Sequence, residues 1–344
     1  MAGFRSRQVY AAAHVAALPD GTIDWPATLA FREHLWGLGF GVADAMDTAQ
    51  RGMGLSWVDV QRLVAASGAA ASGPLVCGAG TDQLDGSCSL ADVVAAYREQ
   101  VAMVQDAGAG VVLMASRALA AVAGSPGDYR DVYGPLIADA REPVILHWLG
   151  AAFDPALAGY WGSTDLAEAE RTLLAIIAEQ PDRVAGVKVS LLDAGREVAL
   201  RRRLPAGVRL FTGDDFHYDT LIEGDEHGHS DALLGAFAAV TAPAAAALHA
   251  LDAGDLAGYE AAIGPTVPLS RLIFEAPTYY YKAGVAFLAW LNGLQPRFSM
   301  LDGLERKRPA GHLVRVFELA AAAGALRDPD LAVSRMALFL REVR

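Results

Sequence analysis

Short apolar runs rich in β-branched residues alternate with helix-patterned stretches along most of this chain, at intervals of about 25 to 40 residues. The runs are Val9 to Leu18, Gly39 to Met46, Pro74 to Gly80, Ala109 to Met114, Pro143 to Trp148, Val184 to Ser190, Val208 to Thr212 and a weaker one near Gly228 to Leu233. Between them the spacing predicts helices at Trp25 to Gly37, Trp57 to Ala66 behind a Ser56 cap, Leu90 to Ala107, Leu166 to Glu179 and around Val198 to Arg203. Eight strand–helix units in about 240 residues match the size of an α/β (β/α)8 TIM barrel. A doubly wound sheet would need fewer strands and usually a glycine fingerprint after the first, and none is present. From Pro243 onward the composition turns helical, with an Ala-rich stretch and then Tyr279 to Leu291. The expected organisation is a barrel over residues 1–240 and a C-terminal helical region over residues 241–344 packed on it.

Composition narrows the partners. With 344 residues, 53% hydrophobic and 20% charged, the chain can bury a sizeable core. A formal net charge of -12 argues against nucleic acid or an anionic membrane as a partner. Cys77 and Cys88 form neither a metal-ligand spacing nor a disulfide framework, which favours a reducing compartment. No stretch reaches the roughly 18 uninterrupted apolar residues of a membrane span. Arg5 and Arg7 before Val9 to Leu18 faintly imitate a secretion signal, but Tyr10, His14 and the turn Pro19-Asp20-Gly21 favour a first strand. A cytoplasmic location is expected.

Positive charge is carried almost wholly by arginine, and the lysines are three: Lys188, Lys282 and Lys307. Lys188 lies inside the sixth run, Gly186-Val187-Lys188-Val189-Ser190, which reads as a buried strand. A buried ammonium is costly, so such a lysine shifts its pKa downward or finds a partner. An amine with a lowered pKa can attack a carbonyl and form a Schiff base. The plainer reading is a strand-end lysine whose stem is buried and whose head reaches water. In a barrel, chemistry gathers at the C-terminal ends of the strands. Those ends offer Asp44, Asp47, Thr48, Thr81-Asp82, Arg117, His147-Trp148, Lys188 and Ser190, Asp214-Asp215 with His217, and His227, His229 and Asp231. Gly78-Ala79-Gly80 lets the backbone approach a ligand closely. Thr212-Gly213-Asp214-Asp215 puts paired acids directly after a strand, although a turn followed by a helix cap explains it as well.

Four of these segments, Pro74 to Gly80, Val144-Ile145-Leu146-His147, Gly186-Val187-Lys188 and Thr212-Gly213-Asp214-Asp215, occur in an order that resembles the dihydrodipicolinate synthase and N-acetylneuraminate lyase family. Pro19 to Asp24 looks like that family's first loop, and Pro277 to Gly293 with Lys282-Ala283 like its C-terminal helical region. The resemblance implies a barrel assembled as a dimer or tetramer, in which the lysine matching Lys188 forms a Schiff base with a 2-oxo acid. It departs from the family elsewhere. The paired threonines that hold the substrate carboxylate are represented by Met46-Asp47-Thr48-Ala49, where Asp47 would repel a carboxylate. The family's proton-relaying tyrosine is replaced by His147, which can do acid–base work near neutral pH. Its tyrosine after the fourth strand has no clear counterpart around Ser116-Arg117.

The leading expectation is therefore a lysine-dependent carbon–carbon lyase or aldolase that needs no cofactor or metal. Its catalytic residues would be Lys188 and His147, and Thr48, Asp47, Gly78, Ser190, Asp214 and Asp215 would bind a small-molecule carbonyl substrate. Loss of the pyruvate-recognising threonine pair points to a keto-sugar or a substituted oxo acid. A second reading gathers His147, Asp215, His227, His229 and Asp47 around a divalent metal. A third makes the chain a non-catalytic ligand-binding barrel. Tyr279-Tyr280-Tyr281 with Phe287 and Trp290 is expected to pack a helix or a subunit contact. Arg201-Arg202-Arg203 and Glu305 to Arg308 are expected to be solvated.

Overall fold

The computed structural model describes residues 3–46, 50–84 and 86–342. Eight parallel strands close in sequence order into a barrel: β1 (Val9–Ala12), β2 (Gly41–Asp44), β3 (Leu75–Ala79), β4 (Gly110–Leu113), β5 (Val144–Leu149), β6 (Val184–Ser190), β7 (Arg209–Thr212) and β8 (Asp231–Leu234). The connecting helices are α1 (Trp25–Gly37), α2 (Trp57–Ala70), α3 (Leu90–Asp106), α4 (Arg117–Val122), α5 (Pro126–Asp139), α6 (Leu166–Glu179), α7 (Ala194–Arg201) and α8 (Tyr218–Glu223). After the barrel come α9 (Thr241–Asp252), α10 (Leu256–Ile263), α11 (Val267–Ile273), α12 (Lys282–Leu291), α13 (Ala310–Ala322) and α14 (Pro329–Glu342). The TIM barrel predicted from the alternation is the fold.

Side-chain caps set where several helices begin. Asp24 accepts from the amide of Ala27 and Pro26 sits in the first turn of α1, while Ser56 accepts from the amide of Asp59 at α2. Ser89 and Asp92 cap α3 reciprocally. Two strand boundaries differ from expectation. β1 stops at Ala12 because the chain turns back over Leu18 to Gly21, whose φ of +84° suits glycine, and Ala17 bridges Ile23. β8 starts at Asp231 because Asp225 to Gly228 form a tight turn first.

Alternation along each strand separates two apolar compartments. Val187 and Val189 of β6, with Leu146 and Trp148 of β5, join the large core between barrel and helices. Tyr10, Ala12, Ala43, Met46, Val76, Val112, Met114, Ile145, Phe211 and Leu233 fill the barrel interior. Gly186 permits this filling, since a Cβ there would lie 2.6 Å from the Phe211 ring. By the same alternation His147 and Lys188 face inward, and they are partners across β5 and β6. Asp44 faces outward instead. It accepts two hydrogen bonds from Arg32 of α1, at 2.8 and 2.7 Å, and one from Ser67 of α2, so it fastens both helices to β2. Burial alone would raise its carboxyl, but the Arg32 guanidinium and the Ser67 hydroxyl outweigh that and hold it below its usual value. Removing one member of such a buried pair costs about 3–5 kcal/mol.

The start of the C-terminal helical region packs on the ends of β1 and β8. Every residue of α12 is buried. Just ahead of it Tyr281 stacks on Phe274 with ring centres 4.2 Å apart, and its ring leaves no room for a Cβ at Gly235, directly after β8.

Candidate active site

Lys188 stands on the inner wall near the C-terminal end of β6, buried apart from 9% of its surface. Polar side chains from β5, from the segment after β7 and from α12 share this end of the barrel. His147 of β5 is fully buried, and its Nε2 lies 3.2 Å from the Ser190 hydroxyl. Gly213 follows β7, where a Cβ would lie 3.0 Å from Cε of Lys188, so a glycine here makes room for the lysine stem. The Asp215 carboxylate is buried and accepts from the amide of Ala236 at 2.8 Å. Burial raises its pKa, while that amide and the charge of Lys188 pull it back. Lys282, the first residue of α12, is also buried, and its Nζ donates to the carbonyl of Ala12 at the end of β1. Burial pushes its ammonium down to about 7, and the positive charge of Lys188 adds to the shift while Asp215 opposes it.

The remaining expected site residues divide. Gly78 lies on the inner wall, and a Cβ there would collide with the Met114 sulfur at 2.5 Å. Asp214 is buried in the turn ahead of α8, where it accepts from the amides of Phe216 and His217 and pairs with the His217 ring at 3.0 Å. It therefore serves the local turn, as the plainer reading had it. Asp47 and Thr48 lie outside the described residues. The proposed metal ligands do not come together: His227 and His229 precede β8 and so sit at the opposite end of the barrel from His147 and Asp215. Among the described residues no three His, Cys, Asp or Glu side chains converge. Asp231, at the start of β8, pairs with Arg209 at the start of β7 and so belongs to that far end too.

A cavity of about 520 Å³ opens over the C-terminal ends of β3, β4 and β5. Its wall includes Thr81 and Ser116, whose hydroxyls are 2.6 Å apart, together with Met114, Leu149, Phe153 and Leu157. Two arginines line it, each with a carboxylate partner: Arg51 with Asp82 at 2.6 Å and Arg117 with Asp154 at 2.5 Å. Lys188 and His147 are not among its described lining residues; Leu149, which is, pairs with Ser190 across β5 and β6. Tyr279 and Tyr280 also line it. Arg51 and Lys282 were missed by the pattern reading. Lys282 carried the same signal as Lys188, a rare lysine leading an apolar run. Arg201 and Arg203 are not simply solvated: Arg201 is largely buried and bonds to Asp225 at 2.9 Å, and Arg203 pairs with the buried Glu170.

Comparisons with known proteins place this geometry. The family model described as protein of unknown function (DUF993) matches residues 1–343. No curated protein matches the chain by sequence. Among solved structures, YagE, a prophage protein of the dihydrodipicolinic acid synthase family from E. coli K12 in complex with pyruvate, superposes with a TM-score of 0.70 at 15% identity, covering 91% of this chain and 98% of that one. The dihydrodipicolinate synthase of Aquifex aeolicus has a TM-score of 0.70 at 13% identity over 94% and 100% of the two chains. A dihydrodipicolinate synthase variant described as monomeric has 0.70 at 14% over 94% and 99%. The fold anticipated from the Gly-Val-Lys and Gly-Asp-Asp segments is the fold these proteins share.

Proposed function

This chain belongs to the family of proteins of unknown function DUF993, and from the barrel it forms and the place of Lys188 within it we propose that it is a Schiff-base-forming carbon–carbon lyase or aldolase acting through Lys188. The observation that carries the reading is the position of Lys188: inside the barrel at the C-terminal end of β6, beside His147 and near Asp215, at the same end of the barrel as the cavity over β3, β4 and β5. The neutral amine attacks a substrate carbonyl carbon to give a carbinolamine, which loses water to become a protonated imine. The imine takes up the electron pair of the carbon–carbon bond that breaks, and the reverse flow forms the bond. The enamine left behind is protonated on carbon, and hydrolysis of the resulting imine restores the amine and releases the ketone. His147 and Ser190, joined at 3.2 Å, move the proton between the hydroxyl of the carbinolamine and the substrate.

The cavity supports a substrate larger than a three-carbon oxo acid, such as a keto-sugar or a substituted oxo acid, with hydroxyls meeting Thr81 and Ser116. We also infer a cytoplasmic homo-oligomer, on the strength of the resemblance and of two cysteines with no disulfide partner. Among the described residues no helix is long and apolar enough to cross a membrane.

The test is borohydride reduction of the protein with a panel of keto acids and keto sugars, followed by peptide mass mapping. The expected result is an adduct on Lys188 with at least one probe. Lys188→Ala should lose that adduct and lower turnover by more than about 10⁴-fold, beyond what a lost proton-transfer group costs. An adduct that persists unchanged in Lys188→Ala removes the proposal.

A further inference from the structure

Met53, Tyr279 and Tyr280, which line the large cavity, also line a second and much smaller void. Its volume is about 10 Å³, room for one oxygen atom. Gln50 and Lys282 are the other polar residues on its wall, and no acidic residue is among those described there. Both side chains are anchored to the stretch at the end of β1. The Val15 amide donates to the Gln50 side-chain oxygen at 2.9 Å, and Lys282 Nζ donates to the Ala12 carbonyl. The first bond fixes which end of the Gln50 amide is the oxygen. The nitrogen at its other end is buried and has no hydrogen-bond partner among the described residues. Lys282 is fully buried, and among the described residues no carboxylate comes within ion-pair distance of it; Asp215 acts on it from farther away. An unmet buried donor and a buried cation without an adjacent acid are both costly. A water in the void would meet the donors alone. A carboxylate oxygen would meet the donors and the charge together.

We propose that Gln50 and Lys282 form a subsite for the carboxylate of a sugar acid, taking one of its oxygens into the small void while the hydroxyl-bearing chain occupies the large cavity. The proposal rests on the proposed function only in taking that cavity as the place where the ligand binds. Its chemistry is donor-only: an amide N–H and an ammonium converge from two sides, and the Gln50 oxygen that would repel a carboxylate is turned to Val15. The hydroxyls of Thr81 and Ser116 and the two arginine–carboxylate pairs of the large cavity then face the uncharged remainder of the same molecule.

The experiment is calorimetric titration of the full chain with D-gluconate and with D-sorbitol, which has the same chain length and no charge. At about pH 6, below the value of about 7 to which burial moves it, the Lys282 ammonium is charged. Gluconate should bind at least about tenfold more tightly than sorbitol. Gln50→Glu keeps an oxygen for the Val15 amide and sets the protein's own carboxylate where the ligand's would go. Lys282→Gln keeps a donor for the Ala12 carbonyl and removes the charge. Each should weaken gluconate by about 10- to 100-fold and leave sorbitol unmoved. A wild type that binds no gluconate, or does not prefer it, overturns the proposal. A preference that survives in either folded variant does the same, because the carboxylate then lies elsewhere and the void holds only water. If neither variant folds, a crystal structure of the wild type with gluconate decides: a carboxylate oxygen within hydrogen-bond distance of Gln50 Nε2 and Lys282 Nζ supports the subsite, and a water there overturns it. Gluconate carries no ketone and forms no imine. A protein that binds it through these two residues but traps no ketone would sink the lyase reading and leave the subsite standing, and trapping on Lys188 with no preference for gluconate would do the reverse.

Discussion

Lysine and arginine divide the work in this chain by chemistry. Where a cation only has to stay charged, arginine is used: Arg32 fastens helices to β2, and Arg51 spans the carbonyls of Ala45 and Gly78 as well as Asp82. Lysine stands at two buried positions, 188 and 282, and under the proposed function the first of them loses a proton to react. His147 provides the test at this scale. His147→Gln keeps a hydrogen-bonding group near Ser190 but cannot gain and lose a proton. Turnover should fall by about 10² to 10⁴, while the borohydride adduct on Lys188 still forms. Steady-state rates and adduct mass together check this; loss of both would mean that the histidine holds the site in shape and does not relay protons.

Much at the element scale was legible because it is written in period and punctuation. α1 and α6 begin and end as the hydrophobic spacing and their caps predict, and β6 matches at both ends. The misses have local causes. The run Val9 to Leu18 looks like one long strand, yet only four residues can pair before the turn at Pro19 folds the chain back. His227 and His229 looked like strand-end groups until the turn ahead of Asp231 put them at the wrong end of the barrel. Lys188 was legible from its setting, whereas the ion pairs of Arg51 and Arg201 depend on residues distant in sequence. Glu197 of α7 could not be foreseen at all. It is buried between the hydroxyls of Thr212 and Ser230, which donate at 3.0 and 2.8 Å. Burial pushes its carboxyl from 4.5 up to about 8, against the pull of those two hydroxyls. Between these values the folded protein holds a proton that the unfolded chain has released, so this group's stabilising share is whole below the lower value. It drains away as pH climbs through the upper one. Denaturant titrations at several pH values should show Glu197→Gln gaining on the wild type across that window; a gap independent of pH would contradict the assignment.

At the scale of the molecule, the helices after β8 complete the core. The buried α12 and the contact of Tyr281 with Gly235 tie that region to the last strand, and Tyr279 and Tyr280 form part of the cavity wall. A fragment ending at residue 240 should therefore lack a cooperative melting transition, and the full chain should melt in one step. Calorimetry of both decides it, and a fragment that melts sharply by itself would show the barrel to be self-sufficient. The paired guanidinium groups of Arg51 and Arg117 carry a consequence for which guests this protein admits. A phosphate ester entering there would have to pull an arginine away from its acidic companion before gaining anything in return. Uncharged, hydroxyl-bearing chains meet no such toll, so under the proposed function this pocket would favour sugars that carry no charge at their far end.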